Sequence, residues 1–138
     1  MGNLFTRASP REEDPATIQN YISKLQDIQQ DIGAGNLTIL ADSDTLTTLE
    51  KMYELIQHIN DHEGAMTAKQ FCDNETLLYN IMFEIKHLTE EQRDTIYGDG
   101  IDLGNWMELE LWVNKHILKL GQYDSANKTF CGEQKFKF

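Results

Sequence analysis

The chain has 138 residues, enough for one domain whose hydrophobic core needs neither metals nor disulfides. Its 12 basic and 23 acidic residues give a formal net charge of −11, which repels nucleic-acid phosphates, so we expect no nucleic-acid partner. No apolar run approaches the roughly 20 residues of a membrane-spanning helix, and the start lacks the pattern of a secretory leader. We therefore expect a cytosolic protein in which Cys72 and Cys131 are reduced thiols.

Residues 15–121 are predicted to form a helical bundle that follows a flexible arm, residues 1–14. Asp14-Pro15 predicts the first N-cap, followed by proline at the first helical position. Gly33 and Gly35 end this first helix. Its apolar stripe consists of Ile18, Tyr21, Ile22, Leu25, Ile28 and Ile32.

Two further long helices follow along the chain. The second opens at Asp42-Ser43-Asp44, a cluster of capping side chains, and Gly64 closes it. The third lies between Thr67 and Leu88, and its start stays open because Asp73-Asn74 could also cap it. The apolar stripe of the second helix consists of Leu46, Leu49, Met52, Tyr53, Ile56 and Ile59, and that of the third consists of Phe71, Leu78, Ile81, Met82 and Ile85.

Capping boxes predict the last two helices. Thr89 with Gln92 predicts a short helix, and Asn105 with Glu108 predicts the start of a strongly apolar helix that ends before Gly121. The apolar residues of that last helix are Trp106, Leu109, Trp112, Val113, Ile117 and Leu120. The fold class is therefore all-α, a compact bundle of four main helices plus a short accessory helix.

Residues 122–138 form a basic and aromatic tail. The chain has almost no strand pattern, and the exception is Phe136-Lys137-Phe138 at its very end.

The first six residues, Met1 to Thr6, fit the pattern that directs N-myristoylation. In that pattern Met1 is removed, a myristoyl chain is joined to the amine of Gly2, and Thr6 supplies a small hydroxyl side chain. We therefore predict that Gly2 carries a lipid and that Thr6 completes the recognition motif. The alternative is a chance match in a protein that carries no lipid.

The opening MGNLFTRASP resembles the start of retroviral matrix proteins and other myristoylated viral proteins. The resemblance implies a small helical protein that is peripheral to the inner leaflet of a membrane and drives assembly there. The rest of the chain departs from the pattern, because matrix domains carry a basic face whereas residues 12–127 hold a net charge of −15. The resemblance covers residues 1–10 alone.

One myristoyl chain binds a membrane only marginally, so stable anchoring needs a second contribution. Residues 1–11 and residues 128–138 each carry a net charge of +2. We predict that the two ends meet and contact the membrane through Phe5, Arg7, Arg11, Lys135, Phe136, Lys137 and Phe138. The alternatives are that Phe136 and Phe138 pack on the bundle, and that the acyl chain is stored between helices.

The histidines of the second helix are the best metal candidates. Glu54, His58 and His62 share one helix face, a spacing that can chelate zinc. The general base of an HExxH motif is missing, however, and no distant ligand is evident. We interpret these residues as a solvated helix face and expect neither a metal nor a cofactor.

Two other groups contain residue types that can bind calcium or act in catalysis. Asp94, Asp99 and Asp102 flank a glycine turn, but Ile101 occupies a position where a calcium loop needs an oxygen ligand, so we interpret the segment as a turn. Cys72 would need a base such as His87 or His116 beside it to act as a nucleophile. We expect that the protein is not an enzyme.

Trp106 and Trp112 have two interpretations. Large aromatic side chains dominate bundle cores, so both could be core residues. The last helix is also apolar almost all round, including Met107 and Leu111, which leaves a strip for a partner helix or for self-association. On the second interpretation Trp106 and Trp112 bind a partner.

The function predicted from these observations is a non-enzymatic, N-myristoylated scaffold or adaptor, a viral matrix-like or accessory protein. We expect it on the cytoplasmic face of a membrane, the host plasma membrane if it is viral, in exchange with the cytosol. Its acidic surface would recruit a protein partner with a basic surface. The alternative is a soluble helical inhibitor of host signalling that binds its partner without a lipid anchor.

Overall fold

The computed structural model describes residues 15–61, 64–98 and 103–120, together with the residue pairs 123–124 and 129–130. These residues contain five α-helices: α1 Pro15–Gly33, α2 Ser43–Gln57, α3 Ala68–Lys86, α4 Glu90–Gly98 and α5 Leu103–His116. They also contain three short 3-10 helices: Leu37–Ala41, Ile59–Asp61 and Ile117–Lys119. The predicted all-α bundle of four main helices and one short helix is confirmed.

One hydrophobic core holds the bundle together. Helix α1 packs against α2 and α3, and α5 packs against α2, α3 and the 3-10 helix Leu37–Ala41. The predicted apolar stripes face this core, with Trp106 and Phe71 among the largest side chains that are fully buried. Each fully buried large apolar side chain stabilises the fold by about 1.5–3 kcal/mol. Four predicted stripe residues are only half-buried at the edge of the core: Tyr21, Leu46, Tyr53 and Trp112.

Helix α1 ends in a glycine motif, as its sequence predicts. The amide of Gly35 donates to the carbonyl oxygen of Ile32 at 3.1 Å, and the amide of Asn36 donates to that of Asp31 at 2.8 Å. These two bonds form a Schellman motif, which needs a left-handed residue. Gly35 supplies it with a φ of +83°, a conformation that costs a residue with a Cβ atom.

Capping boxes open α3 and α4. At α3 the amide of Gln70 donates to Oγ1 of Thr67 at 3.1 Å, and the amide of Thr67 donates to Oε1 of Gln70 at 2.9 Å. Thr67 therefore caps α3, which decides the start that the sequence left open. Thr89 and Gln92 form the same pair of bonds, 3.1 and 2.8 Å long, so the predicted capping box of α4 is confirmed.

The predicted capping box of α5 is wrong. Helix α5 begins at Leu103, so Asn105 lies within its first turn instead of before it. The Asn105 side chain donates through Nδ2 to the carbonyl oxygen of Ala41, 3.0 Å away. A tertiary contact has therefore taken the side chain that the local pattern assigned to a cap.

The segment after Gly121, where the sequence shows no strand pattern before Phe136, contains a short β-ribbon. Strand β1, Tyr123–Asp124, pairs antiparallel with β2, Thr129–Phe130, and Tyr123 lies opposite Phe130. Strand β2 packs against α3. Two residues per strand are too few for period-2 alternation to reveal them in a sequence.

Candidate partner-binding groove

A groove between α2 and α5 combines carboxylates with aromatic rings. The spacing of Glu50, Tyr53, Glu54 and Gln57 places them on one face of α2, beside the core-facing stripe. Helix α5 contributes Trp112 to the opposite wall, and the groove has a volume of about 440 Å³. His58, the C-cap residue of α2, completes the lining.

Three aromatic rings hold one another in place at this groove. Tyr53 contacts Trp112 edge to face, with ring centroids 5.6 Å apart, and contacts His116 in the same way at 5.1 Å. The rings of Trp112 and His116, one turn apart on α5, stack with centroids 5.0 Å apart. Such aromatic pairs contribute about 0.5–1.5 kcal/mol each beyond the area they bury. The indole of Trp112 is therefore oriented before any ligand arrives.

Two hydrogen bonds from side chains to backbone carbonyl groups also stabilise the two walls of the groove. His116 Nδ1 lies 2.9 Å from the carbonyl oxygen of Trp112, and because a carbonyl only accepts, Nδ1 is the donor. The Gln57 side chain donates through Nε2 to the carbonyl oxygen of Lys119 at 3.3 Å, which ties the end of α2 to the segment after α5. Both walls of the groove are thus linked through side chains as well as through the core.

The groove has a negative charge next to neutral aromatic surface. Glu50 and Glu54 are exposed, and within residues 15–61, 64–98 and 103–120 neither forms an ion pair. Burial raises the pKa of the Tyr53 phenol above its usual value, so Tyr53 is neutral and can donate a hydrogen bond at physiological pH. The groove therefore places two carboxylates beside two electron-rich aromatic side chains.

This chemistry suits a cation. A lysine ammonium or an arginine guanidinium is attracted to the face of a tryptophan or tyrosine ring, and more strongly when carboxylates stand beside it. A single pair of that kind contributes only about 0.5–2 kcal/mol, so selective binding needs several contacts at once. A basic segment of another protein could make them along the groove.

The two tryptophans have different positions. Trp106 is 0% exposed and lies in the core, so the interpretation of Trp106 as a partner-binding residue is wrong and its interpretation as a core residue is correct. Trp112 is half-buried, with one part against Tyr53 and His116 and another part in the groove. Trp112 thus remains a candidate partner-binding residue.

The other candidates from the sequence do not assemble into a site. Glu54 and His58 lie at the groove, whereas His62 is outside the described residues, among which no group of three His, Cys, Asp or Glu side chains is placed to hold a metal ion. Asp94 lies exposed on α4, and its two partners in the calcium hypothesis, residues 99 and 102, are also outside the described ranges.

Cys72 and His87 lie at opposite ends of α3. His87, the C-cap residue, lies fifteen positions after Cys72 and about 22 Å further along the helix axis, so it cannot act as a base for the Cys72 thiol. His87 instead stacks on Phe83, with ring centroids 4.1 Å apart. The second histidine considered, His116, belongs to the aromatic cluster of the groove.

A second cleft lies where α1 begins. It has a volume of about 350 Å³ between the first turns of α1 and the segment before α3, and Ile18, Ile22 and Met66 provide much of its apolar wall. The cleft is close to the point where residues 1–14 join the bundle. An acyl chain stored between helices, the alternative that the sequence left open, would have space here.

The residues predicted to carry or contact the lipid lie outside the described ranges. They are Gly2, Phe5, Thr6, Arg7, Arg11, Lys135, Phe136, Lys137 and Phe138. Their roles stay predictions.

Sequence reasoning missed the contribution of α2 to the groove. Glu50 and Tyr53 share a helix face with Glu54, and that spacing is readable from the sequence. Their position opposite Trp112 is not readable, because it depends on how α2 and α5 pack.

Comparison with known proteins gives no relative. No protein-family model matches the chain, and neither a curated protein nor a solved structure matches it. The geometry of the groove and the motif at residues 1–6 are therefore the basis for assigning a function.

Proposed function

We propose that this chain is a non-enzymatic, N-myristoylated adaptor at the cytoplasmic face of a membrane, where its α2–α5 groove binds a basic segment of a partner protein. In the viral setting that residues 1–10 suggest, it would act as a matrix-like or accessory protein at the host plasma membrane. It would exchange with the cytosol because one acyl chain binds reversibly.

The motif at residues 1–6 supports the proposal that the protein is N-myristoylated. Gly2 supplies the amine that is acylated, and Thr6 completes the motif. Within the described ranges, no helix has both the length and the hydrophobicity of a membrane-spanning segment. Arg7, Arg11, Lys135 and Lys137 would each add about 1 kcal/mol near an anionic leaflet.

The length of chain before α1 allows an acidic bundle to be attached to an anionic membrane. Pro15 opens the bundle, and the 13 residues from Gly2 to Asp14 can span at most about 45 Å when extended. Electrostatic repulsion is screened over about 8–10 Å at physiological ionic strength. The lipid can therefore reach the bilayer while most of the net charge of −15 on residues 12–127 stays beyond the range of strong repulsion.

The groove supports the partner half. Glu50 and Glu54 attract basic residues over a distance, and Tyr53 and Trp112 add aromatic surface that a guanidinium can contact. The combination of both features in one groove, with Trp112 held in place by His116, is the observation that favours a basic segment over an apolar helix.

The lipid is tested by the mass of the intact protein from eukaryotic cells and by flotation with liposomes that contain anionic lipid. The expected results are a mass increase of one myristoyl group after loss of Met1, and flotation that Gly2→Ala abolishes. Asn3→Ala, which leaves the acylated glycine in place, is the matched control. Unmodified Gly2 would remove the membrane account and leave the soluble inhibitor as the better description.

The groove is tested by calorimetric titration with a short lysine- and arginine-rich peptide, and with a control peptide in which glutamine replaces those residues. Glu50→Gln with Glu54→Gln should weaken binding about tenfold, since two charge contacts are lost. Glu90→Gln with Glu91→Gln on α4 removes the same charge elsewhere and should leave affinity nearly unchanged. Equal loss in both double variants would show that overall charge, and not the groove, attracts the peptide.

A further inference from the structure

The outer surface of α5 and of the 3-10 helix Ile117–Lys119 after it exposes several apolar side chains. Met107 is 55% exposed, Leu111 70% and Leu118 84%, while Trp106, Leu109 and Val113 fill the core from the opposite side. Lone exposed leucines are ordinary on protein surfaces, but a contiguous row of them is not. The row continues at its N-terminal end with Leu103, which is 39% exposed.

The spacing of this surface is that of a coiled-coil seam. Gly104, Met107, Leu111 and Asn114 of α5 are exposed and follow one another at intervals of three, four and three residues. Leu118, also exposed, lies four residues further on, in the 3-10 helix Ile117–Lys119 that continues from α5. This 3-4 alternation is the spacing of a and d positions, which pack against a second helix. We name these five residues the α5 seam. Helix α5 thus has two stripes, one for its own core and one that faces outward.

Charged residues flank the α5 seam in a specific order. Glu108 and Lys115 lie along the same edge, both at the heptad position after the d residue. On the other edge, Glu110 already forms an ion pair with Arg93 of α4. The first edge is therefore available to a partner, whereas the second is neutralised within the protein itself.

We propose that the α5 seam binds the same surface of a second copy, with the two α5 helices antiparallel. A two-fold axis through Leu111 places Gly104 opposite Leu118 of the second copy, so a small residue faces a large one. It also brings Glu108 level with Asn114 and Lys115 of the second copy. The two-fold axis repeats this contact, which gives two ion pairs per dimer.

The charges favour this orientation over a parallel one. In a parallel pair in register, Lys115 would approach Glu110 of the second copy. That carboxylate already forms an ion pair with Arg93 of its own chain, so Lys115 would gain little. Antiparallel helices also align their dipoles favourably. A single helix face buries less than the roughly 800 Å² per partner of a standard interface, so we expect a dimer that dissociates on dilution. It forms outside the groove and does not require the lipid.

The proposal is tested on the full-length protein made in bacteria, which is unacylated, by sedimentation equilibrium across a range of concentrations. We expect a reversible monomer–dimer equilibrium that Leu111→Asp weakens at least about tenfold, since it places two carboxylates on the axis. Phe83→Asp on α3, also an exposed apolar residue, is the matched control and should dimerise as the parent does. A parent protein that stays monomeric at every concentration would overturn the proposal.

Charge exchange tests the antiparallel register. Glu108→Lys alone and Lys115→Glu alone should each weaken the homodimer, because like charges then meet twice. A mixture of the two variants places lysines opposite glutamates at every contact, so it should form a heterodimer about tenfold tighter than either homodimer. In a parallel dimer, Glu108→Lys would leave the affinity between the two copies unchanged. A mixture no tighter than its components would therefore overturn the antiparallel arrangement.

Discussion

Asn105 donates a hydrogen bond to the carbonyl oxygen of Ala41, 64 positions earlier in the chain. The bond is 3.0 Å long and joins the first turn of α5 to the last residue of the 3-10 helix Leu37–Ala41. Ala41 is buried, so few water molecules could replace this donor. This amide side chain therefore ties the start of α5, the helix that carries Trp112, to the 3-10 helix Leu37–Ala41.

We expect Asn105→Ala to destabilise the protein by about 1–3 kcal/mol, because it leaves a buried carbonyl without its donor. Urea unfolding followed by circular dichroism measures the change. Asn114→Ala, an exposed asparagine on the same helix, should change the free energy of unfolding by less than about 0.5 kcal/mol. Similar losses in both variants would contradict a specific role for Asn105.

The two tryptophans should separate stability from binding. Trp106→Ala removes a fully buried side chain and should cost about 3–5 kcal/mol. Trp112→Ala removes a half-buried ring and its contacts with Tyr53 and His116, a loss of about 1–2 kcal/mol. In thermal unfolding, Trp106→Ala should therefore show the larger loss of stability. In the peptide titration, Trp112→Ala should lose binding although the protein remains folded.

Arg93 should contribute more than an ordinary surface arginine. It pairs with Glu110 at positions where the two side chains are only 28% and 25% exposed, and its guanidinium lies 5.8 Å from the centre of the Trp106 ring. A double-mutant cycle with Arg93→Ala and Glu110→Ala should give a coupling energy of about 1 kcal/mol or more.

The pair Lys69–Asp73 is the comparison for that cycle. Its atoms are 2.7 Å apart, but the side chains are 84% and 61% exposed. Solvent screens such a pair, so its coupling energy should be clearly smaller than that of Arg93 with Glu110. If the two cycles gave equal values, partial burial would not be what strengthens the Arg93 contact.

Glu84 should make stability depend on pH. Partial burial raises the pKa of this carboxyl above its usual value. The folded state then holds the proton more tightly than the unfolded state, so the stabilisation is complete at low pH and is lost as pH rises through the folded-state pKa. Glu84→Gln should therefore be more stable than the parent at pH 7 and lose that advantage near pH 4. Urea unfolding at both pH values measures this difference, and an unchanged difference would contradict it.

The sequence predicts a helix end correctly where the residues that form the end are close together in the chain. Gly35 ends α1 and Thr89 caps α4 because both motifs act within six residues of chain. The same reasoning failed at Asn105, where a distant carbonyl competed successfully for the side chain. It also failed to predict that Asn74 and Glu75 are buried on α3, since local polarity opposes that placement.

The groove was only partly predictable for a related reason. The sequence indicates Glu54 as a metal candidate and Trp112 as a partner-binding candidate, each from the pattern of its own helix. Their association depends on the packing of α2 against α5, which no spacing within one helix encodes. Tyr53 was assigned to the core stripe, and it does lie at the edge of the core, where its ring also contacts Trp112.

The outward-facing leucines of α5 have a consequence for how long the protein would stay at a bilayer. A dimer would present two acyl chains, and the second insertion would follow the first at a high effective concentration. Avidity would then turn two weak, short-lived attachments into one with a long residence time. Local crowding of the protein, by favouring the paired state, would set the threshold for stable recruitment.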